Sequence, residues 1–556
     1  MRAWLRELCL LLGFLAAAIL LTWPLAAHFT TDLGGDYGDH WQTLWGMWWV
    51  KKALLDLHVS PFFSTYVHWP IGTPLYFETF DLPDCLLAIP LWSFLSPLAV
   101  FNCVELWSYP LAGYFFYRFA LSLLRSERVG AEAPRGQRRA AVLAGALFTF
   151  APYHFGHALG HLHILALEWV PLYFWMLVRS FDVPRLRYPL AGGLALAAAS
   201  TASWYYLLFC VVLTAPYLGY RLAIDGRARS REGLRQALVL GASYLALMGP
   251  LFYEMLAARA REPWDGAHSA DVFSADLYEF FVPNAAQLLG RFWVNLSGRW
   301  SGNPAENCDY LGYAVLALAL VGALRTRGGR LWLGVAALGA VLALGPHLHQ
   351  NGQVFGGTLL PYGLLERAVP LLAFTGCPVR AGFIATFALS TAAAFALATL
   401  SRSRRGARVS LALCAVACVE FYPHAFTLSH FPQPALFKSW AADPSEFAVD
   451  DLSGDTRPLY NGVLHGHPLV DVYLSRTPLR LIAWLDDHPI LGRLRHPTSV
   501  PLGLSRAEGR RLLREEKIRY FILPQWRRDA TLERDLELPV IYTGEGLRVF
   551  EVPATD

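Results

Sequence analysis

The chain has 556 residues and a net charge of +4; 55% of it is hydrophobic, 14% aromatic and only 16% charged. Soluble chains carry about 25% charged residues, so the composition excludes an ordinary soluble enzyme or a disordered chain and points to the membrane. No basic patch is interleaved with exposed aromatics, which excludes a track for nucleic acid.

The first apolar run, "CLLLGFLAAAILLTWPLAA" (9–27), is long enough for a ~30 Å hydrocarbon core. It lacks a small-residue cleavage site in the usual place and further runs follow, so it reads as an anchor and not as a signal peptide. Hydropathy then places spans at 103–124, 140–155, 164–180, 188–203, 205–221, 236–256, 309–324, 331–345, 381–400 and 408–423, about eleven in all. Arginine-rich stretches fill 125–139, 179–187, 221–235, 325–330 and 401–408. Excess arginine marks cytoplasmic loops, so the N-terminus is expected inside. The loops 28–102, 156–163, 257–308 and 346–380 are then outside, with everything after 423. The short apolar stretch 86–101 carries prolines and would break this parity as a span, so it is expected as an interfacial or re-entrant helix. Cys85, Cys308 and Cys377 fall on the outer side, either as buried thiols or as disulfide partners.

After 423 the long apolar runs end. "SRAEGRRLLREEK" (505–517) opens with Ser505 and Glu508 in capping-box spacing and predicts a helix. "IRYFILP" (518–524) and "PVIY" (539–542) read as buried strands, and "TGEG" before "LRVFEV" (547–552) predicts a hairpin. The expected fold class is therefore mainly α, a polytopic transmembrane helix bundle, with a small extracytoplasmic α/β domain. The two domains are 1–423, with the loops 28–102 and 257–308 near the site, and 424–556.

The stretch "GGDYGDHWQTLWGMWWVKK" (34–52) follows the first span. Trp41, Leu44, Trp45 and Trp48 share one helical face, and tryptophan favours the headgroup layer. A helix lying in the interface is expected, holding Asp36 and Asp39 at the boundary of water and lipid. Glu78 lies further along the same loop, where Asp81 and Asp84 read as solvated loop acids. The second outer loop carries His154, His157, His161 and His163. His157 and His161 share a helix face at i, i+4, a spacing known from zinc ligands, and simple packing is the other reading. Glu168, inside the next span, is costly in lipid unless it faces a cavity or a partner, for which His157 and His161 are candidates. The loop 257–308 reads as a lid, with Trp264, Trp293 and Trp300 placed either to stack on sugar rings or to anchor at the interface.

Several stretches, in order over about 30–430, carry a resemblance: Gly35-Asp36 with its tryptophans, "HWPIGTPLYFETF" (68–80), "FAPYHFGHALGHLHILALEWVPL" (150–172), "SADLYEFFVPN" (274–284), "ENCDYLG" (306–312) and "LGPHLHQNGQ" with "TGCPVRAGF" (344–383). The chain resembles the C-type superfamily of polytopic membrane glycosyltransferases and, within it, a bacterial family of uncharacterised multi-pass proteins. The first arginine of the family's last motif is missing, Thr375 or Gly376 standing in that region, and only Arg380 remains.

The resemblance implies a bacterial inner-membrane enzyme. Its donor would be a polyprenyl-phosphate sugar, drawn from the lipid bilayer, and its acceptor an extracytoplasmic glycan, lipid or protein. Asp36 matches the acid that acts as general base in an inverting single displacement, with Asp39 and Glu78 as further catalytic carboxylates. Arg380, His161 and His163 would hold the donor phosphate. Trp264 and Glu306 would contact acceptor or sugar. Family enzymes that transfer oligosaccharides carry an acidic metal motif in the second outer loop. Histidine replaces acid here, so Mg or Mn is left as a possible cofactor without an assigned ligand, since hard ions want oxygen. Two rivals stand beside the enzyme. A lipid-linked sugar flippase would use intramembrane acids such as Glu168 and Glu254, although no inverted repeat is visible. A catalytically inert scaffold of the same fold is the other.

Overall fold

The computed structural model describes residues 3–555 other than 36, 37, 79, 131, 133, 266, 267, 370, 371, 373–375, 425, 455, 499 and 501. Asp36 and Thr375 therefore lie outside the described residues.

Every apolar segment read from the sequence contains a helix, beginning with Ala3–Leu21 and ending with Arg404–Glu420. Among the described residues, five helices are long and apolar enough to cross a membrane: Trp4–Leu21, Leu162–Asp182, Trp204–Ile224, Arg231–Arg261 and Pro378–Leu400. The protein is a multi-pass membrane protein. Gly382–Leu400 forms the centre, buried around its circumference. Its alanine-rich sequence lets Pro134–Thr149, Tyr313–Arg325 and Arg327–Ala343 pack closely on it. The approach is tightest at Gly322, where a Cβ would stand 2.3 Å from the Ala392 carbonyl. Trp4–Leu21 and Arg231–Arg261 lie at the periphery and leave leucines such as Leu8, Leu12, Leu238 and Leu245 exposed, as a lipid-facing surface requires. At the arginine-rich ends, Ser230, Thr326 and Ser403 cap their helices by accepting from the backbone N–H three residues on.

Two expectations for the first outer loop need correction. Residues 86–101 do not form one interfacial helix: 82–93 is a short helical segment, and Pro97 already starts the long helix Pro97–Ser126, capped by Ser96. The tryptophan helix His40–Lys51 does not present its aromatic side to an open surface. Trp41, Trp45 and Trp49 are fully buried, and Trp41 packs against Phe431 and Tyr460 of the tail. The apolar stripe faces protein, not headgroups.

The tail holds a four-stranded sheet in the order Val540–Gly544, Leu547–Glu551, Ile518–Pro524, Ala448–Asp451. The first three strands are antiparallel neighbours, and Ala448–Asp451 runs parallel to Ile518–Pro524. Arg506–Glu515 packs on the sheet with its capping box formed. The strand at 540–544 is an exposed edge, not the buried strand expected, because the sheet ends there. Several ties hold the tail to the loops between the helices, some of them through the backbone. Leu33–Gly34 pairs with Leu428–Ser429, Trp264–Asp265 pairs with Thr477–Pro478, and the Trp69 N–H donates to the Leu469 carbonyl (3.0 Å). All eight cysteines are free, with Cys85, Cys308 and Cys377 buried.

Candidate active site

Gly34 and Gly35 are held from every side. The Gly34 N–H donates to Asn102 Oδ1 (3.2 Å) and its carbonyl bonds His40 Nδ1 (2.7 Å). The Gly35 N–H donates to the Thr427 carbonyl (2.8 Å), and Ser429 Oγ donates to the Gly35 carbonyl (2.9 Å). Gly35 has φ +86°, and a Cβ there would stand 2.7 Å from the carbonyls of Ala158 and Leu159. Only glycine combines that conformation with that approach. The turn before Asp36 is thus pressed onto the histidine turn 157–161.

On that turn His157 Nδ1 and His161 Nδ1 share a hydrogen bond (3.3 Å). His161 Nε2 lies 3.3 Å from Glu306 Oε1. Glu306 also accepts from Arg380, through Nε (3.1 Å) and Nη2 (2.5 Å). The guanidinium rests 4.6 Å above the Tyr205 ring, and Tyr153 Oη donates to the Arg380 carbonyl (3.0 Å). Burial pushes the Glu306 carboxyl up, but Arg380 and His161 outweigh it and hold it well below the usual carboxylate range. Burial pushes the His157 imidazole far down, so it is neutral. "SADLYEFFVPN" braces Glu306 from behind: the Asp309 N–H donates to Glu279 Oε1 (3.2 Å), and Asn284 Nδ2 donates to the Pro304 carbonyl (3.1 Å).

A second carboxylate centre lies on the tail side. Glu78 accepts from Gln42 Nε2 (2.5 Å) and from the Arg476 N–H (2.9 Å), and Ser475 Oγ donates to Gln42 Oε1 (3.1 Å). Burial dominates over these bonds and pushes the Glu78 carboxyl up to about 7. Asp39 sits half-buried at the start of His40–Lys51, and its charge acts on both Glu78 and His268. Partial burial and the charges of Arg476 and Arg380 push His268 down. His268 thus feels the charges of both centres. It and Arg476 carry no local sequence signal; only the fold brings them here.

Four site expectations change. Glu306 does not present itself to an acceptor, because its carboxylate is buried against Arg380 and His161. Arg380 is not free to clamp a phosphate with its whole fork: Nε and Nη2 bond Glu306, and Nη1 lies outside that pair. His163 is buried with neither ring nitrogen bonded among the described residues. Trp264 is half-buried and packs edge-on against Phe77 (4.8 Å), with its indole N–H buried, so that only part of its ring is left exposed. Nor are the nearby acids as expected. Asp84 is buried and accepts from the indoles of Trp107 and Trp169 (2.9 Å each), with Asp81 buried beside it. Glu168 accepts from Ser108 Oγ (2.6 Å), not from a histidine.

His157, His161 and Glu306 bring ligand atoms within 4.8 Å of one another. Two imidazoles and one carboxylate do not suit Mg or Mn, which want a shell of oxygens, and Arg380 already neutralises that carboxylate. The site does not fit the family's hard ion.

No protein-family model matches the chain, and no curated protein does. Among solved structures, the mycobacterial arabinofuranosyltransferase AftD matches at TM-score 0.55 and 15% identity, over 98% of this chain. The chain has the C-type glycosyltransferase fold. The match covers 40% of AftD, so the fold here is the counterpart of only part of that enzyme. The oligosaccharyltransferase AglB of Archaeoglobus fulgidus, solved with an inhibitory peptide and a dolichol-phosphate, matches at TM-score 0.46 and 12% identity, over 93% of this chain and 69% of its own.

Proposed function

We propose that this C-type fold is an inverting glycosyltransferase of the bacterial inner membrane. It moves a sugar from a polyprenyl-phosphate donor to an extracytoplasmic acceptor, with Asp36 as general base. About eleven spans carry the chain, the N-terminus is cytoplasmic, and 424–556 is an outer α/β domain. The reading rests on one observation above all: Gly35, the residue before Asp36, is clamped between the tail and the histidine turn, whose His161 contacts the Glu306–Arg380 pair. A rigid mount for the base and positive charge for the leaving group are what the reaction needs.

Asp36 takes the proton of an acceptor hydroxyl, and the oxygen attacks the anomeric carbon. The bond from that carbon to the phosphate oxygen breaks, and the lipid phosphate leaves with the electron pair. Arg380 reaches it through Nη1, which the bonds to Glu306 do not use, with Arg476 and His268 supporting from the tail side. Asp39 and Glu78 orient the acceptor. One finding favours the inert scaffold instead: Arg380 is already committed to Glu306.

The test compares wild type with Asp36→Asn in membrane vesicles supplied with radiolabelled polyprenyl-phosphate sugars. Transfer by wild type that the variant abolishes at equal expression is expected. Transfer that survives moves the base to Asp39 or Glu78. Label that crosses the membrane without transfer makes the protein a flippase.

A further inference from the structure

A cavity of about 590 Å³ opens in the tail, lined mostly by residues that the proposed reaction does not use. It lies outside the carboxyl ends of the two parallel strands. Asp451 to Gly454 follow the first strand, and Pro524 to Arg527 follow the second. In open α/β sheets this is where ligands gather. The volume suits a ligand of a few sugar rings, within the range of small-molecule sites.

The lining fixes the ligand's chemistry. Its charges cancel internally. Arg495 is bidentate to Asp471 (2.8 and 2.7 Å) and also bonds Asp486 (2.8 Å). Arg527 donates to the Leu494 carbonyl (2.8 Å) and lies 3.8 Å from Asp529. Asp451 accepts from the Ser453 N–H (2.9 Å) and Asn461 Nδ2 (2.7 Å). Carboxylates and a carbonyl already engage both lining arginines, which favours a neutral ligand over a nucleotide or phosphorylated lipid. Two aromatic faces flank the opening: Trp526 is 83% exposed and Tyr473 46%. A tryptophan so exposed contributes little to folding, and its flat apolar face with a polar edge matches the face of a sugar ring. His68 adds a buried Nδ1 with no bonded partner among the described residues. Its backbone is left-handed at φ +55°, the kind of strain that collects at ligand sites. Ser475 and Thr477 add hydroxyls that both donate and accept.

The position ties the cavity to the site. Ser475 and Thr477 line it, while Arg476 between them donates its N–H to Glu78 (2.9 Å). Ser475 Oγ also bonds Gln42, which holds the other oxygen of Glu78. One thickness of chain separates the cavity from the second carboxylate centre.

We infer that this cavity binds a neutral oligosaccharide, the glycan acceptor. The identification of the ligand as acceptor rests on the transferase reading; the saccharide site itself does not. Rings stack on Trp526 and Tyr473, and hydroxyls bond His68, Ser475 and Thr477. The chain from cavity to Glu78 then carries acceptor occupancy to the reacting end.

The test uses the purified full chain in detergent, without donor. Tetrasaccharides of arabinan, mannan, galactan and glucan are titrated by saturation-transfer NMR and calorimetry. Saturable binding of at least one is expected, weakened about tenfold by Trp526→Ala, as loss of a stacked aromatic implies, and largely restored by Trp526→Phe. Tyr473→Ala weakens it by a smaller factor. If no tetrasaccharide binds, or if binding is indifferent to Trp526→Ala and Tyr473→Ala alike, the cavity is not a glycan site. Saccharide binding without sugar transfer by wild type refutes the transferase and leaves the site standing. Transfer without saccharide binding refutes the site and leaves the transferase.

Discussion

Glu306 and Glu78 are both loop glutamates and both buried, yet they hold opposite states. Glu306 meets a guanidinium and an imidazole, so it is fixed as an anion. Glu78 accepts from an amide and a backbone N–H, and burial outweighs both these bonds and the pull of the Arg476 charge, so its carboxyl is pushed up to about 7. At Glu78 these contributions do not offset the loss of water; at Glu306 the bonded Arg380 guanidinium does. Glu306 therefore holds Arg380 in place, and Glu78 is the one that exchanges a proton near neutral pH.

The largest effect is expected from breaking the charged pair. Glu306→Ala leaves the Arg380 guanidinium buried and unpaired, which costs about 3–5 kcal/mol. The thermal-unfolding midpoint of the detergent-solubilised protein should fall accordingly. The double variant Glu306→Leu with Arg380→Met should recover most of that loss. If the single variant is as stable as wild type, the pair is not what holds the two loops.

The next effect is a difference in the sign of pH dependence. Below an ordinary value near 4.5, Glu78 is protonated in both states; from there to about 7 only the folded chain keeps the proton. Its contribution is therefore present in acid and lost as pH rises through about 7, roughly 3 kcal/mol in all. Glu306 behaves oppositely, since its lowered pKa gives stability above the unfolded value that is lost on acidification. Glu78→Gln should flatten the neutral limb and leave the acid limb unchanged. Unfolding midpoints measured against pH separate the two, and a neutral limb that persists in Glu78→Gln sinks the assignment.

Gln42→Leu sharpens the same point. It removes a donor that favours the Glu78 anion, a bond worth about 1.5–3 kcal/mol to a charged group. The neutral limb should move up by about one pH unit. A limb that stays in place assigns the titration to another group.

The helices were legible because a span is a long apolar run and the runs are interrupted by arginine. The capping box at Ser505 and the strand 518–524 were legible for the same local reason. The tryptophan helix misled, since an aromatic stripe looks alike whether headgroups or a protein tail cover it; Phe431 and Tyr460, which cover it, are far along the chain. The site was legible only as parts. Glu306, Arg380, His157 and His161 each stood in a recognisable stretch, but their pairing depends on how the loops meet. Arg476 and His268 had no local pattern at all. Burial turned Asp81 and Asp84 from loop acids into core groups, which spacing alone does not reveal.

The smallest expected effect concerns the face of Arg380. The guanidinium lies 4.6 Å from the Tyr205 ring centroid, where the ring's negative face attracts it. Tyr205 begins the helix Trp204–Ile224 and is itself buried. Tyr205→Phe keeps the ring and should lower the unfolding midpoint less than Tyr205→Leu. Tyr205→Leu removes the attraction and should cost about 1–2 kcal/mol. In Glu306→Gln the guanidinium has lost its anion and leans more on the ring, so Tyr205→Leu should cost more there than in wild type. That coupling, read from a double-mutant cycle, measures how far Glu306 alone fixes Arg380. A cycle that closes to zero makes the ring a bystander and leaves Glu306 as the whole cause of the arginine's position.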